Sequence, residues 1–359
     1  MFTKQESLLD ILGMRNAQLV IPVYQRVYAW SERQCTTLWN DVMRAGQTSS
    51  THFMGTVLYV EEACEDDVRR IDVIDGQQRL ATLTLLIAAL RDHLQETGFS
   101  LDGIDAAELD RRYLRLNDAP AKESAEHDGA QAGEHDAPCK LLLSRADRAT
   151  YAAIVSKSPL PEEEDELSQN VVANYRMFRE FLAQADTRNA AQDLWKGLTL
   201  LVVISATLTE GDRPQLVFES LNSKGMPLAT SDLIRNLLLI GIGLDEQERL
   251  YGQYWAPIEA VFADDLDSSQ FTAALRGWLA IKAPELCKRN TDDIYATFKA
   301  YLESEHAGSL EELLFGLKGF CETFVTRSQS SGARMADAHN SYGVARVEGI
   351  ISEKKLFGD

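Results

Sequence analysis

Apolar positions change their period several times along residues 1–95, and each change predicts an element. "QLVIPV" (18–23) is short, β-branched and stopped by Pro22, as at the end of a strand. "SERQCTTLWNDVMRA" then places Ser31 as an N-cap and Cys35, Leu38, Trp39 and Val42 at helical spacing, which predicts a helix. "HFMGTVLYVEE" and "RRIDVID" flank an acidic turn and predict a β-hairpin. "GQQRLATLTLLIAALRDHL" follows, with Leu80, Leu83, Leu86, Ile87 and Leu90 on one broad apolar face.

Farther along, residues 117–138 are rich in Ala, Glu, Asp, Gly and His and carry no apolar period, which predicts a flexible insertion. "LSQNVVANYRMFREFLAQ" (167–184) has the pattern of an amphipathic helix, and "LTLLVVISA" (198–206) that of a buried strand returning to the N-terminal sheet. From "RPQLVFESLNSKGMPLATSDLIRNLLLIGI" to about residue 325, every segment has helical spacing with Trp, Tyr and Phe anchors. The expected layout is an α+β core over 1–116 with strand 198–206 joining it, an insertion at 117–138 and a mainly helical domain over 139–330. A tail at 331–359 lacks a closing pattern, as though the natural chain or assembly continues.

The join in "RRIDVIDGQQRLATLTLLIAAL" concentrates chemistry. Asp75 falls at an N-cap position, Gly76 opens the turn and Gln78 lies three residues after the cap, which reads as a capping box with Gln in place of Glu. Arg79 is not explained by capping, because a guanidinium in the first helical turn meets the positive end of the helix dipole unless an anion offsets it. Free helix-start N–H groups, a glycine and an Arg that grips two oxygens together suit a phosphate. Asp75 would then hold Mg²⁺ on that phosphate, and Gln77 or Gln78 would orient a water for in-line attack.

Two further clusters stand out. In "VFESLNSKGMPLATSDLIRN", Asn222, Lys224 and Gly225 lie in a turn between helices, with Ser231, Asp232, Arg235 and Asn236 at the next helix start; taken alone, ordinary helix ends account for them better than a site does. In "IPVYQRVYAW" (21–30), Tyr24, Gln25, Arg26, Tyr28 and Trp30 either pack around a strand end or stack on and read a nucleobase.

Composition narrows the setting. Apolar runs fall well short of the roughly 18 residues of a membrane helix, so no membrane span is expected. The start lacks the pattern of a secretory signal, which predicts a cytoplasmic protein. Cys35, Cys64, Cys139, Cys287 and Cys321 are scattered without a CxxC pair, which predicts reduced thiols without zinc or disulfides. A formal net charge of -19 argues against indiscriminate DNA binding. The acid concentrates in 61–67, 122–136 and 161–167. Residues 1–60 are close to balanced, with Lys4, Arg15, Arg26, Arg33 and Arg44 against Glu6, Asp10, Glu32 and Asp41, so any anion-binding surface is expected there.

"IPVYQRVYAW", "FMGTVLYV", "IDVIDGQQRLATL" and "FESLNSKGMPLATSDLIRN", in that order over residues 7 to 240, resemble the N-terminal domain of the GmrSD family of modification-dependent restriction systems. The resemblance implies a mixed core related to ParB-like and sulfiredoxin folds, a nucleotide bound at the DGQQR motif and a helical domain behind it. It places the active motif on Asp75, Gly76, Gln77, Gln78 and Arg79. The IPxYQRxYxW motif falls on Ile21, Pro22, Tyr24, Gln25, Arg26, Tyr28 and Trp30, and the FxxLNxxG motif on Phe218, Leu221, Asn222 and Gly225. Related systems couple hydrolysis of a nucleoside triphosphate, often GTP, to cleavage of phage DNA carrying modified bases. Full-length members usually add a His-Me finger nuclease, for which His306 and His339 lack the spacing; that nuclease is expected as another domain or subunit. ParB-like sensors often pair, so a homo-oligomer is a further expectation.

The expected function is a Mg²⁺-dependent nucleoside triphosphatase, GTP favoured, sensing modified DNA within a phage-defence system. Asp75, Gln77, Gln78 and Arg79 would be catalytic, with Asp75 on the metal. Gly76, Tyr24, Gln25, Arg26, Asn222, Lys224 and Gly225 would bind nucleotide, and Tyr24, Gln25, Tyr28 and Trp30 would read the DNA mark. Rival readings are a modified-DNA-binding module without turnover and a ParB-like core that nicks DNA itself.

Overall fold

In a computed structural model of the chain, residues 1–61, 68–116, 139–163, 167–185, 187–209, 211–222, 229–262, 269–289, 293–304 and 308–326 are described. The chain divides into two units, Met1–Pro227 with Ile240–Gln247, and Leu228–Leu239 with Glu248–Asp359. The expected boundary at 138/139 thus differs from the observed division. The cause is packing, since the helices between residues 145 and 199 share one hydrophobic core with the N-terminal strands.

The first unit is built on a six-stranded mixed sheet. Its strands are β1 (Phe2–Ser7), β2 (Ala17–Val20), β3 (His52–Glu61), β4 (Arg69–Asp75), β5 (Leu141–Leu142) and β6 (Leu201–Thr207), in the order β1-β6-β3-β4-β2-β5. β3 and β4 pair antiparallel, as the alternating apolar positions of the two segments favour. β6 lies between β1, to which it is antiparallel, and β3, to which it is parallel. The strand thus starts later than the apolar run that announced it, because residues 198 and 199 close the preceding helix.

Helices α1 (Leu8–Leu12), α2 (Glu32–Thr48), α3 (Gln77–Thr97), α4 (Ala106–Leu109), α5 (Arg145–Ser156), α6 (Gln169–Gln184), α7 (Thr187–Thr199) and α8 (Pro214–Asn222) belong to this unit. α2 starts where its sequence predicts, with Ser31 N–H donating to the Gln34 side chain at 3.1 Å. α3 is the central helix: every residue from Leu80 to Leu94 is buried, so its polar groups must be satisfied internally. Thr82 and Thr84 do this by donating back to Gln78 O at 2.8 Å and Leu80 O at 3.0 Å. Near its end, Arg91 donates from Nε to Asp92 Oδ1 at 2.9 Å and from Nη1 to the Val155 carbonyl at 2.6 Å.

In the second unit the described elements are helices: α9 (Thr230–Leu239), α10 (Leu244–Leu250, crossing from the first unit), α11 (Ala256–Val261), α12 (Ser269–Lys282), α13 (Pro284–Arg289), α14 (Ile294–Leu302) and α15 (310–326). Its core is aromatic, with Trp255 edge-on to Phe271 at 6.0 Å and Trp278 edge-on to Tyr301 at 5.3 Å. Arg235 is held by Asp232 and Glu259, and Glu259 also accepts from Trp255 Nε1 at 2.8 Å. The expected insertion at 117–138 and tail at 331–359 lie outside the described residues, as does Cys64.

Candidate functional site

The join between β4 and α3 is set by a close approach. Gly76 has φ 104, and a Cβ there would lie 3.2 Å from Val57 Cγ2 on β3, so glycine alone suits the turn. Gly76, and not Asp75, is the N-cap of α3, and no side chain caps it. The expected capping box is therefore absent, for two reasons. Asp75 is still in the β-ladder opposite Leu58, with its carboxylate toward Arg79. Gln78 turns the other way: its Oε1 accepts from Ala29 N at 2.8 Å and Trp30 N at 3.2 Å, and its Nε2 donates to Val27 O at 3.2 Å.

Arg79 reaches across to β3. Its Nη1 donates to Met54 O at 2.6 Å, and its Nη2 donates to Thr56 O at 2.6 Å and to Asp75 Oδ2 at 3.3 Å. Between those carbonyls lies Gly55, φ 93, where the pairing with β6 slips: Phe53 faces Val202, yet Thr56 faces Ile204. This bulge turns two carbonyls toward one guanidinium. Burial lowers the Arg79 pKa and Asp75 opposes that shift, so Arg79 remains a cation with its charge largely answered. The counter-charge missing from the sequence is thus supplied by a strand bulge and the preceding carboxylate.

The "IPVYQRVYAW" residues separate. Tyr24 is 0% exposed, Gln25 is 6% exposed with Nε2 donating to Ile74 O at 2.8 Å, and Tyr28 is 3% exposed. Tyr28 shares hydrogen bonds with Thr82 Oγ1 (2.7 Å) and Cys35 Sγ (3.4 Å) and accepts from Asn174 Nδ2 (3.2 Å). Burial raises the pKa of its hydroxyl and of the Cys35 thiol. These three side chains belong to the interior, which corrects the expectation that they present themselves to a base. Arg26 is half-buried and lines a crevice of about 10 Å³ with Gln77, Gln78, Ser144 and Asp147. Gln77 Oε1 is buried there without a donor. Lys224 and Gly225 lie outside the described residues, and Asn222 is described only as the last residue of α8.

Trp30 and Arg79 do meet. Together with Arg33, Gln34, Thr37, Leu38, Asp41, His52, Phe53 and Met54 they line an open depression of about 530 Å³ between α2 and the β3 bulge. That volume lies in the range of small-molecule sites. Phe53 is 56% exposed, and His52 Nε2 stands 3.7 Å from Asp41 Oδ2. Phe53 was missed from sequence because the β3 alternation puts it on the same side as the buried Val57 and Tyr59, and Arg33 on α2 carried no motif of its own. The bulge at Gly55 reverses that parity. The depression therefore combines two aromatic faces with two guanidinium groups.

The fit to Mg²⁺ is poor. Among the described residues no three His, Cys, Asp or Glu side chains gather to hold a metal, and the Asp75 carboxylate faces Arg79. Any Mg²⁺ would come with the phosphates of a nucleotide, which is how this ion is commonly held. Among the described residues no helix is long and apolar enough to cross a membrane.

The family model described as the GmrSD restriction endonuclease N-terminal domain matches residues 8–239. No curated protein matches the chain.

Proposed function

Since the chain belongs to the family of the GmrSD restriction endonuclease N-terminal domain, we propose that it is the nucleotide-dependent sensor of a restriction system acting on modified DNA. The observation that carries this reading is the depression holding Trp30, Phe53, Arg33 and Arg79. A base stacks on Trp30 or Phe53, and Arg33 takes the phosphates as a bidentate donor. Arg79, with its Nη atoms already on Met54 O, Thr56 O and Asp75, contributes a fixed positive field and holds the bulge that shapes the site.

Turnover of a nucleoside triphosphate, GTP favoured, is the finer part of the proposal. Gln77, whose buried Oε1 lacks a donor, can hold a water in its own crevice, which has about the space of one water molecule and is separate from the depression. Gln78 is committed to the 27–30 loop. Modified DNA and a nuclease domain or subunit are the proposed partners.

A second reading, a binding module without turnover, is favoured by the engagement of Arg79 and Gln78 with the protein itself. Phosphate release from GTP and ATP with Mg²⁺, with and without modified DNA, separates the two. Turnover lost in Arg33→Ala and in Phe53→Ala, both with exposed side chains, supports the nucleotide site. Absence of turnover together with salt-sensitive binding of modified DNA supports the module.

A further inference from the structure

At the opposite end of α3, about 20 Å from Arg79 along the helix axis, a second cleft of about 490 Å³ opens between α3, α5 and α6. Its floor is apolar: Ala153, Ile154 and Val172 are buried, and Leu160 packs against the core. Its rim is charged, with Lys157, Arg176, Arg179 and Glu96 around the buried Asp92.

The charges do not cancel. Asp92 is answered by buried Arg91, which donates to both carboxylate oxygens at 2.9 and 3.2 Å. Arg115 Nε stands 2.9 Å from Asp110, and Arg179 pairs with Glu96. Tyr175 already donates to Asp92 at 2.6 Å. Arg91 also donates to Asp110 Oδ1 at 2.5 Å, and Lys157 Nζ shares Asp92 at 2.6 Å while donating to Gln95 Oε1. Arg176 is exposed on the rim. In a chain of net charge -19, the charged groups lining this cleft, Lys157, Arg176 and Arg179 against Asp92 and Glu96, carry an excess of one positive group over an apolar floor. Arg179 Nε is in addition buried without an acceptor.

We propose that this cleft is a second ligand site, for a phosphate monoester with a flat apolar body. The dianionic group sits on Lys157, Arg176 and Arg179, and the apolar body lies on Ile154, Val172 and Leu160 beside the Tyr175 ring. The phosphate group meets three cationic side chains, among them the exposed Arg176 and Arg179 with its Nε lacking an acceptor, and the floor gives the body a dry surface. Nothing in this site draws on the Trp30 depression.

Isothermal titration of the full chain with phenyl phosphate and with inorganic phosphate tests it. Phenyl phosphate is expected to saturate about tenfold more tightly than inorganic phosphate, because the ring is buried. Arg176→Glu, a change at an exposed side chain, and Lys157→Ala are each expected to weaken it about tenfold or more. The proposal is overturned by absence of saturable binding, by equal affinity for the two phosphates, or by indifference to Arg176→Glu. A thermal melt of Arg176→Glu matching that of the parent chain confirms that a lost signal is a lost site.

Discussion

A Cβ on residue 55 would stand 2.5 Å from Nη1 of Arg79, so the glycine in the β3 bulge and the guanidinium from α3 require one another. Gly55→Ala meets two costs, since its φ of 93 is disfavoured for alanine and the methyl group displaces Arg79. The expected loss is about 2 kcal/mol or more. Arg79→Ala leaves the carbonyls of Met54 and Thr56 without a donor, a loss of about 1–3 kcal/mol. In the double variant the clash is gone, while the backbone strain and the two unpaired carbonyls remain. Urea unfolding should thus give a combined loss smaller than the sum; strict additivity would mean that the two residues are not coupled.

Gln78 offers a test confined to one loop. Gln78→Leu removes the acceptor for Ala29 N and Trp30 N and the donor to Val27 O. Amide exchange should accelerate at Ala29 and Trp30, while the buried amides of α3 from Leu83 onward keep their protection. Global stability should fall by about 1–3 kcal/mol. Unchanged exchange at both amides would show that the loop is held by something other than this side chain.

Tyr28 and Trp30 lie two residues apart and are expected to behave in opposite ways. Tyr28→Phe takes the hydroxyl from Thr82, Cys35 and Asn174 and should cost about 1–2 kcal/mol in stability. Ligand binding per folded molecule should be unchanged. Trp30→Ala, on the wall of the depression, should weaken the proposed nucleotide binding about tenfold per folded molecule. A Tyr28→Phe chain of unaltered stability that no longer binds would return Tyr28 to the recognition surface.

The contrast within this one motif shows what the sequence can disclose. The alternation of β4, the helical spacing of α2 and the glycine at the β4–α3 turn are local signals, and they were legible. β1 was not, because "FTKQES" is a largely exposed edge strand held by pairing with β6, with no apolar alternation to announce it. α7 was likewise passed over, its run of small and polar residues leading directly into the stronger signal of β6. Arg79 was identified for the right anomaly, a cation at a positive helix end. Its resolution depended on two carbonyls exposed by a bulge some two dozen residues earlier, which no local pattern reports. The same bulge hid Phe53 by inverting its expected side. The second cleft could not be read at all, since its charges come from three helices brought together only by the core.

His93, on α3 near Arg179, ties the stability of the fold to pH. It is 5% exposed on α3, and its Nε2 is buried without a partner. Burial lowers its pKa, the nearby Arg179 lowers it further, and Glu96 partly opposes them. Above the ordinary histidine value of about 6.5 the imidazole is neutral in both the folded and the unfolded chain. As pH falls below that value the unfolded chain takes up a proton first, so stability declines until the lowered folded value is passed. The limiting slope is about 1.4 kcal/mol per pH unit. The carboxylates beside it, Asp92 and Glu96, are held below their ordinary values by Arg91 and Arg179 and act only in a more acidic range. Urea unfolding at about pH 7.5 and about pH 5.5 should therefore show a loss in the parent chain that is reduced in His93→Gln. Parallel losses in the two chains would assign the pH dependence to another group and leave His93 as ordinary core.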